Sequence, residues 1–470
     1  MRRKSIFIAS AVVASACLMG ACGKVKSESL YLTEQEELPV KGEKEDDQVE
    51  TAVSDLTAQT SQGVTIDYNI ESYHSIQKFG YDLLAQNMQD ENPILSPVSA
   101  YLALSMAGCG ADGATQEEFY RVLGNDMMAL SDDMMNTLPA KGDLLNLSIA
   151  DSAWIDDALI VDDTWLGTVR SLMGAEAFQA DLSTEQTMKE INHWIDDKTN
   201  GLIDKMLGEP LDEQARLALF NTVYFKGKWE IPFEANDTQK EEFYLLGSPN
   251  ETVQVDMMNL YETNLDYIAS DFAEGVILPY QKNDDSSSGN LAFVALKPIG
   301  NVDVREVYGK LTDEVMTDIL ASRQTELVNL KLPKFEITFD KELNDSLSNM
   351  GLVECFDVGK ADFDRIGKTQ SGDNLYISLV RQKAKIIVDE EGTEAAAVTE
   401  VIMACGAVIP KQQNPREVYL NEPFVYMIMD MDRELPLFIG ILDNPVSYLW
   451  SIAASVCFLT IPLWTDTIFR

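Results

Sequence analysis

Apolar positions three and four apart dominate the first half of the chain. Ile76, Phe79 and Leu83 line one face of a helix. In "NPILSPVSAYLALSMAGCG", Ser96 is a good N-cap and Pro97 falls at the first helical position, so a second helix begins there. "ATQEEFYRVLG" carries a capping box from Thr115 to Glu118, and Gly124 suits its end. "STEQTMKEINHWIDDKTNG" repeats the device with Ser183 and Gln186. Its buried stripe is Ile191, Trp194 and Ile195, and Gly201 is its stop.

The period then shifts to two. "LALFNTVYF" is a continuous apolar run, as in a strand covered on both faces. "ELVNLKLPKFEITF" alternates, with Leu327, Asn329 and Lys331 opposite Val328, Leu330 and Leu332. "DKELNDSLSNMG" reads as a short helix capped by Asp340 and stopped by Gly351. "PFVYMIMDMDRELPLFIGILD" reads as a hairpin turning near Asp432. Helices first and a large, mainly antiparallel sheet system later predict an α+β fold.

One stretch fits both periods. In "VDEEGTEAAAVTEVIMACGAVIP" the alanines favour a helix. Read with period two, Thr393, Ala395, Ala397, Thr399, Val401 and Met403 share a face that is small or apolar and carries no charge. Glu394, Ala396, Val398, Glu400 and Ile402 share the other. That second pattern suits a strand placed in the middle of a sheet. Periodicity alone leaves helix and strand level.

Charge narrows the partners. The chain has 36 Lys and Arg against 77 Asp and Glu, a net charge of −41. Such a surface repels phosphate backbones, which argues against nucleic acid, and it suits solubility outside the cell. Residues 1–21 read as an export signal, with "MRRK" as the basic region and "SIFIASAVVASA" as the apolar core. "LMGAC" resembles a bacterial lipobox, which implies lipid attachment at Cys22 and a membrane-anchored, extracellular domain. Residues 22–67 are polar and acidic, as in a disordered tether. Residues 446–470 form an apolar tail; Val446 to Trp464 carry no charge and can just span a bilayer, and no role is assigned to them.

The cysteines match no zinc pattern and no disulfide framework. The only histidines are His74 and His193, and His193 lies inside a periodic helix. No metal site, cofactor or catalytic residue is assigned.

Taken together, residues 68–445 resemble the serpins. "NPILSPVSAYLALSMAGCGADGATQEEF", "INHWIDDKTNGLIDKML", "FNTVYFKGKWEIPFE", "LKLPKFEITF", "MGLVECFDVGKADF", "VDEEGTEAAAVT", "NEPFVYMIMD" and "PLFIGILDNP" follow the order of that family's blocks. The resemblance implies a large sheet, two further sheets and an exposed reactive-centre loop at about 390–418. It implies inhibition of serine proteases by a suicide-substrate route: loop cleavage, an acyl-enzyme, and insertion of the loop into the main sheet. Loop insertion by serpins is itself a standard example of strand addition and strain release.

The same resemblance assigns residues to roles. The hinge is Glu390, Gly392, Thr393, Glu394, Ala395, Ala396, Ala397, Val398 and Thr399. The shutter is Ser96, Ser99, Asn221 and Gln382, with Gln382 where the family has a histidine, which puts pH sensitivity of opening in doubt. Trp229 and Glu390 form the breach. Counting Glu390 as the first of seventeen places the reactive bond at Gly406–Ala407; counting back from "NEPF" points instead to Lys411 and Gln412. Gly406 favours elastase- or subtilisin-like targets and Lys411 trypsin-like ones, and a cysteine protease is a further candidate. A monomer is expected. A non-inhibitory serpin, acting as a surface binding or carrier module, is the other reading; the small hinge residues argue against it.

Overall fold

The computed structural model describes residues 28–29, 70–245, 251–283, 289–300, 302–369, 374–393 and 414–446. Its helices are α1 (His74–Asn87), α2 (Pro97–Gly108), α3 (Gly113–Leu123), α4 (Met127–Thr137), α5 (Asp163–Met173), α6 (Glu185–Lys198), α7 (Val304–Tyr308), α8 (Asp313–Ala321) and α9 (Asn344–Met350). The first strands are β1 (Glu28–Ser29), β2 (Ile94–Leu95), β3 (Leu145–Asp156), β4 (Leu159–Val161), β5 (Glu176–Ala180), β6 (Leu217–Lys228), β7 (Gln239–Tyr244), β8 (Thr252–Ala269) and β9 (Ala273–Pro279). The remainder are β10 (Leu291–Pro298), β11 (Gln324–Pro333), β12 (Phe335–Glu342), β13 (Gly367–Thr369), β14 (Leu379–Val388), β15 (Gly392–Thr393), β16 (Arg416–Tyr419), β17 (Phe424–Asp430) and β18 (Leu435–Leu442).

They form three sheets, as the α+β reading requires. The main sheet runs β1-β5-β3-β6-β15-β14-β12, with a further β6–β14 pairing. A second sheet runs β16-β11-β8-β9-β10-β17-β18-β2, with β7 on β8, and β13 pairs with β4. Within the expected tether, Glu28 and Ser29 pair antiparallel with Gln179 and Phe178 at the edge of the main sheet.

Strand β6 is buried on both faces. Leu217, Leu219 and Phe225 join the large core that holds α2, while Ala218 and Phe220 meet Trp154, Ile191 and Ile195 beneath α6. This two-sided burial is why the sequence reads as an unbroken apolar run.

Four local expectations need correction. Thr115 does not cap α3. Asp112 does, its side chain accepting from Gly113 N, while Thr115 Oγ1 accepts from Asp362 N. Glu118 is likewise drawn away, accepting from Val353 N and Glu354 N. Helix α6 starts one residue later than expected, capped by Thr184, because Ser183 is tied to Asp181. Asp340 lies in β12, bonded to Arg381, and α9 begins beyond it. The alternating run "ELVNLKLPKFEITF" is two strands in two sheets, split at Lys334.

The thiols of Cys109 and Cys355 are free, and burial pushes Cys109 up to about 12. Cys22, Cys405 and Cys457 lie outside the described residues, as do the signal and the tail beyond Val446. His193 is exposed on α6, and His74 stands 3.6 Å from Asp313.

Candidate functional site

At the end of β14 the chain reverses on itself. Asp389 Oδ1 accepts from the backbone N–H of Glu391 and of Gly392, and Asp389 N donates back to Gly392 O. The reversal lays Gly392 and Thr393 between two strands. Thr393 pairs with Val388 on one side, and Gly392 and Thr393 pair with Lys228 and Gly227 on the other. Gly392 is needed here for space. A Cβ at this position would lie 2.0 Å from Gly227 O. Glycine also brings backbone freedom to the swivel, but the close approach of β6 is the stronger constraint.

The breach clamps this turn. Trp229 is 1% exposed and stacks on Tyr280 with ring centroids 4.9 Å apart. Its Nε1–H donates to Asp389 O at 2.9 Å, and its backbone N–H donates to Glu391 O. Tyr280 Oη and Thr393 Oγ1 are 2.6 Å apart, which ties the hinge threonine into the same stack. Glu390 receives Lys334 Nζ at 2.5 Å and Thr238 Oγ1 at 2.8 Å. Burial works to raise the Glu390 carboxyl, but Lys334, its backbone and Thr238 outweigh it and hold the group below its ordinary value. Lys334 is the corner residue between β11 and β12, so the break in that alternating run supplies the cation for the hinge.

Trp229→Phe tests the clamp. A smaller ring remains against Tyr280, but Asp389 O loses its indole donor and the core loses part of the indole. Stability in urea should fall by about 2–4 kcal/mol, the cavity and the stranded acceptor together. An unchanged urea midpoint would show that the bond contributes nothing.

Below the hinge lies a slot. Strands β6 and β14 pair directly, in parallel, at Ala218↔Leu379 and Leu219↔Val380. At the other end Thr393 sits between them. Next to Thr393 is a small gap of about 10 Å³, room for about one water, walled by Phe225 of β6 and by Ile386 and Ile387 of β14.

The shutter residues lie lower down. Gln382 bridges Ser96, accepting from its N–H and donating to its C=O, both at 2.9 Å. Ser96 Oγ accepts from Ser99 N as the cap of α2. Asn221 bonds to none of these three. Its Nδ2 donates to Asp151 Oδ1 at 2.5 Å. Asp151 was missed from sequence, although a carboxylate at a buried-parity position of the strand "LNLSIADSAWID" was a signal.

The structure thus brings Glu390, Gly392, Thr393 and Trp229 together, and Ser96, Ser99 and Gln382 together. The hinge residues Glu394, Ala395, Ala396, Ala397, Val398 and Thr399, and the candidate bond residues Gly406, Ala407, Lys411 and Gln412, lie outside the described residues.

A family model for the serpins, serine protease inhibitors, matches residues 74–445. Iripin-1 of Ixodes ricinus is 32% identical over 379 residues, covering 77% of this chain and 92% of the relative. Alpha-1-antichymotrypsin of Homo sapiens is 30% identical over 398 residues, 82% of this chain and 90% of that one. Among solved structures, the thermophilic serpin tengpin in its native state is similar at 32% identity and a TM-score of 0.73, covering 81% of this chain and 95% of the other.

Proposed function

This chain belongs to the serpin family, and we propose that it inhibits serine proteases as a single-use covalent trap, held outside the cell on a lipid at Cys22. The observation that carries the reading is the seating of Thr393. Gly392 and Thr393 are already seated in the main sheet between β6 and β14, strands that among the described residues pair with each other only at Ala218↔Leu379 and Leu219↔Val380. The next residue of the same parity is Ala395, followed by Ala397 and Thr399, all small enough to slide between strands in place.

The chemistry belongs to the target. The protease serine attacks the carbonyl carbon of Gly406, and an ester to Gly406 forms as the Gly406–Ala407 bond breaks. The freed Ala407 amine takes the proton that the serine hydroxyl gave up. Entry of the loop as a new strand then carries the tethered protease away and distorts it. Slowing deacylation from roughly 10 per second to one event in days is about seven decades, or about 9–10 kcal/mol. Displacements of about 1 Å in an active site can cost about a hundredfold, so gross distortion is of the required size. The protein acts as a monomer, without a cofactor, and its acidity argues against nucleic acid.

Mixing the protein with elastase-, subtilisin- and trypsin-like enzymes tests this. A band at the summed mass on a denaturing gel is the expected result. Mass spectrometry of the released C-terminal peptide should begin at Ala407; a start at Gln412 would move the bond to Lys411. Cleavage of the loop by every protease with no such band would replace inhibition by the carrier reading.

A further inference from the structure

Two buried oxygens that have no hydrogen-bond partner among the described residues belong to one cross-strand pair: Asp151 Oδ2 and Asn221 Oδ1. The residues are register partners on β3 and β6, 2% and 5% exposed. Their other atoms are joined, Asn221 Nδ2 donating to Asp151 Oδ1. What remains is two acceptors and no donor, a costly arrangement in a core. One proton satisfies both. Placed on Asp151 Oδ2, it makes a neutral acid that donates to Asn221 Oδ1 while still accepting from Nδ2.

Among the described residues no charged side chain of the facing elements offers another remedy. Asp151 shares its face of β3 with Leu147, Ile149, Ala153 and Ile155, above α2, and α2 has no acidic or basic side chain. On β6 the residues of the same parity are Leu217, Leu219, Val223 and Phe225, and on β14 they are Val380, Gln382, Ala384 and Ile386. The charged groups of these strands have the opposite parity: Lys226 and Lys228 on β6, and Arg381, Lys383 and Lys385 on β14. Arg381 is spent on Asp340 and Lys385 on Glu336. On β5, Glu176 pairs with Lys198 of α6. Burial pushes the Asp151 carboxyl up to about 7, opposed only by the Asn221 bond.

We propose that Asp151 is protonated in the closed sheet and that its proton, shared with Asn221, latches β3 to β6 beside the slot below the hinge. The latch makes the shutter sensitive to pH although Gln382 stands where the family has a histidine. Its meaning for sheet opening rests on the inhibitory reading, but its existence does not. The native state keeps a proton that the unfolded chain, at the ordinary value of 3.8, has lost. The contribution of the latch is therefore complete below about pH 4, declines as pH rises, and is gone once pH passes the folded value near 7.

The test is urea unfolding of the intact protein at several pH values, for wild type and Asp151→Asn. The asparagine can pair with Asn221 through two amide bonds and has no proton to lose. The wild-type unfolding constant, relative to the variant's, should rise by up to about tenfold per pH unit below neutrality and level off above about pH 7. The infrared carbonyl band of a neutral carboxylic acid should be present in wild type at mildly acid pH, fade through neutrality, and be missing from the variant. Parallel unfolding profiles, or no acid band in wild type, would overturn the latch. Parallel profiles in a protein that still traps proteases would count against the latch alone. A titrating difference in a protein that traps none would count against the inhibitory reading alone.

Discussion

Cutting the loop of the intact protein should raise its thermal midpoint by on the order of 10 °C or more. An inserted residue in a central strand bonds to neighbours on both sides, so each contributes about two ladder bonds of about 1 kcal/mol net. Ordering that residue costs about 1–2 kcal/mol. At an edge the exchange would fail, since only one side would bond. In the middle, the apolar face of Ala395, Ala397, Val401 and Met403 also leaves water, at about 25 cal/mol per Å² buried. For a strand of about ten residues the surplus is on the order of 10 kcal/mol. A domain of about 370 residues has an unfolding entropy near 0.8 kcal/mol per kelvin at about 2.1 cal/mol/K per residue, which converts the surplus to roughly 13 °C.

The geometry says where the new strand would go. β6 and β14 meet directly at two residue pairs, and at the far end they are already parted by Thr393. Calorimetry on matched intact and nicked samples, with the nick confirmed by mass, reads the outcome. A nicked protein that melts at or below the intact one would mean that the native sheet is not poised to accept a strand, and the inhibitory mechanism would go with it.

How much of this was legible in the sequence depends on what each residue answers to. Of the hinge, only its start can be compared. The seating of Thr393 between β6 and β14 fits the small, uncharged face read with period two, while Ala395 and Ala397 lie outside the described residues. The hinge role itself came from the family resemblance, because periodicity left helix and strand level. The α2 cap was readable because Ser96 and Pro97 sit next to the groups they serve. The capping box expected at α3 failed for a long-range reason, whereas Ser183 lost its cap to a local bond with Asp181. Thr115 and Glu118 satisfy backbone groups of residues more than two hundred positions later, and a capping box cannot be told from such a use by spacing alone. The split at Lys334 was marked in the sequence by a one-residue slip of phase, from Val328, Leu330 and Leu332 to Phe335, Ile337 and Phe339, which a reading of the run as one alternation passes over. Asp151 was hidden because its partner Asn221 is seventy positions away and becomes a neighbour only through the β3–β6 register.

Thr393→Arg should abolish trapping while leaving cleavage of the loop intact. Thr393 is 2% exposed, its hydroxyl bonded to Tyr280, whose ring rests on Trp229. An arginine cannot be accommodated there without burying an unpaired charge, at a cost of several kcal/mol. In the native state the chain can avoid that cost by lifting Gly392 and residue 393 out of the sheet, so the variant should still fold. After cleavage it cannot avoid it, because the first step of insertion must pass residue 393 through this position. A barrier raised by about 3–4 kcal/mol slows insertion by about two to three decades, and hydrolysis of the acyl-enzyme then wins. The gel should show cut inhibitor and active protease in place of the complex, with an unchanged initial rate of loop cleavage. Glu394→Arg supplies the control of opposite parity: its side chain belongs to the charged face, so the complex should survive. If both arginine variants trap equally well, the alternation on which the insertion mechanism depends has no physical role.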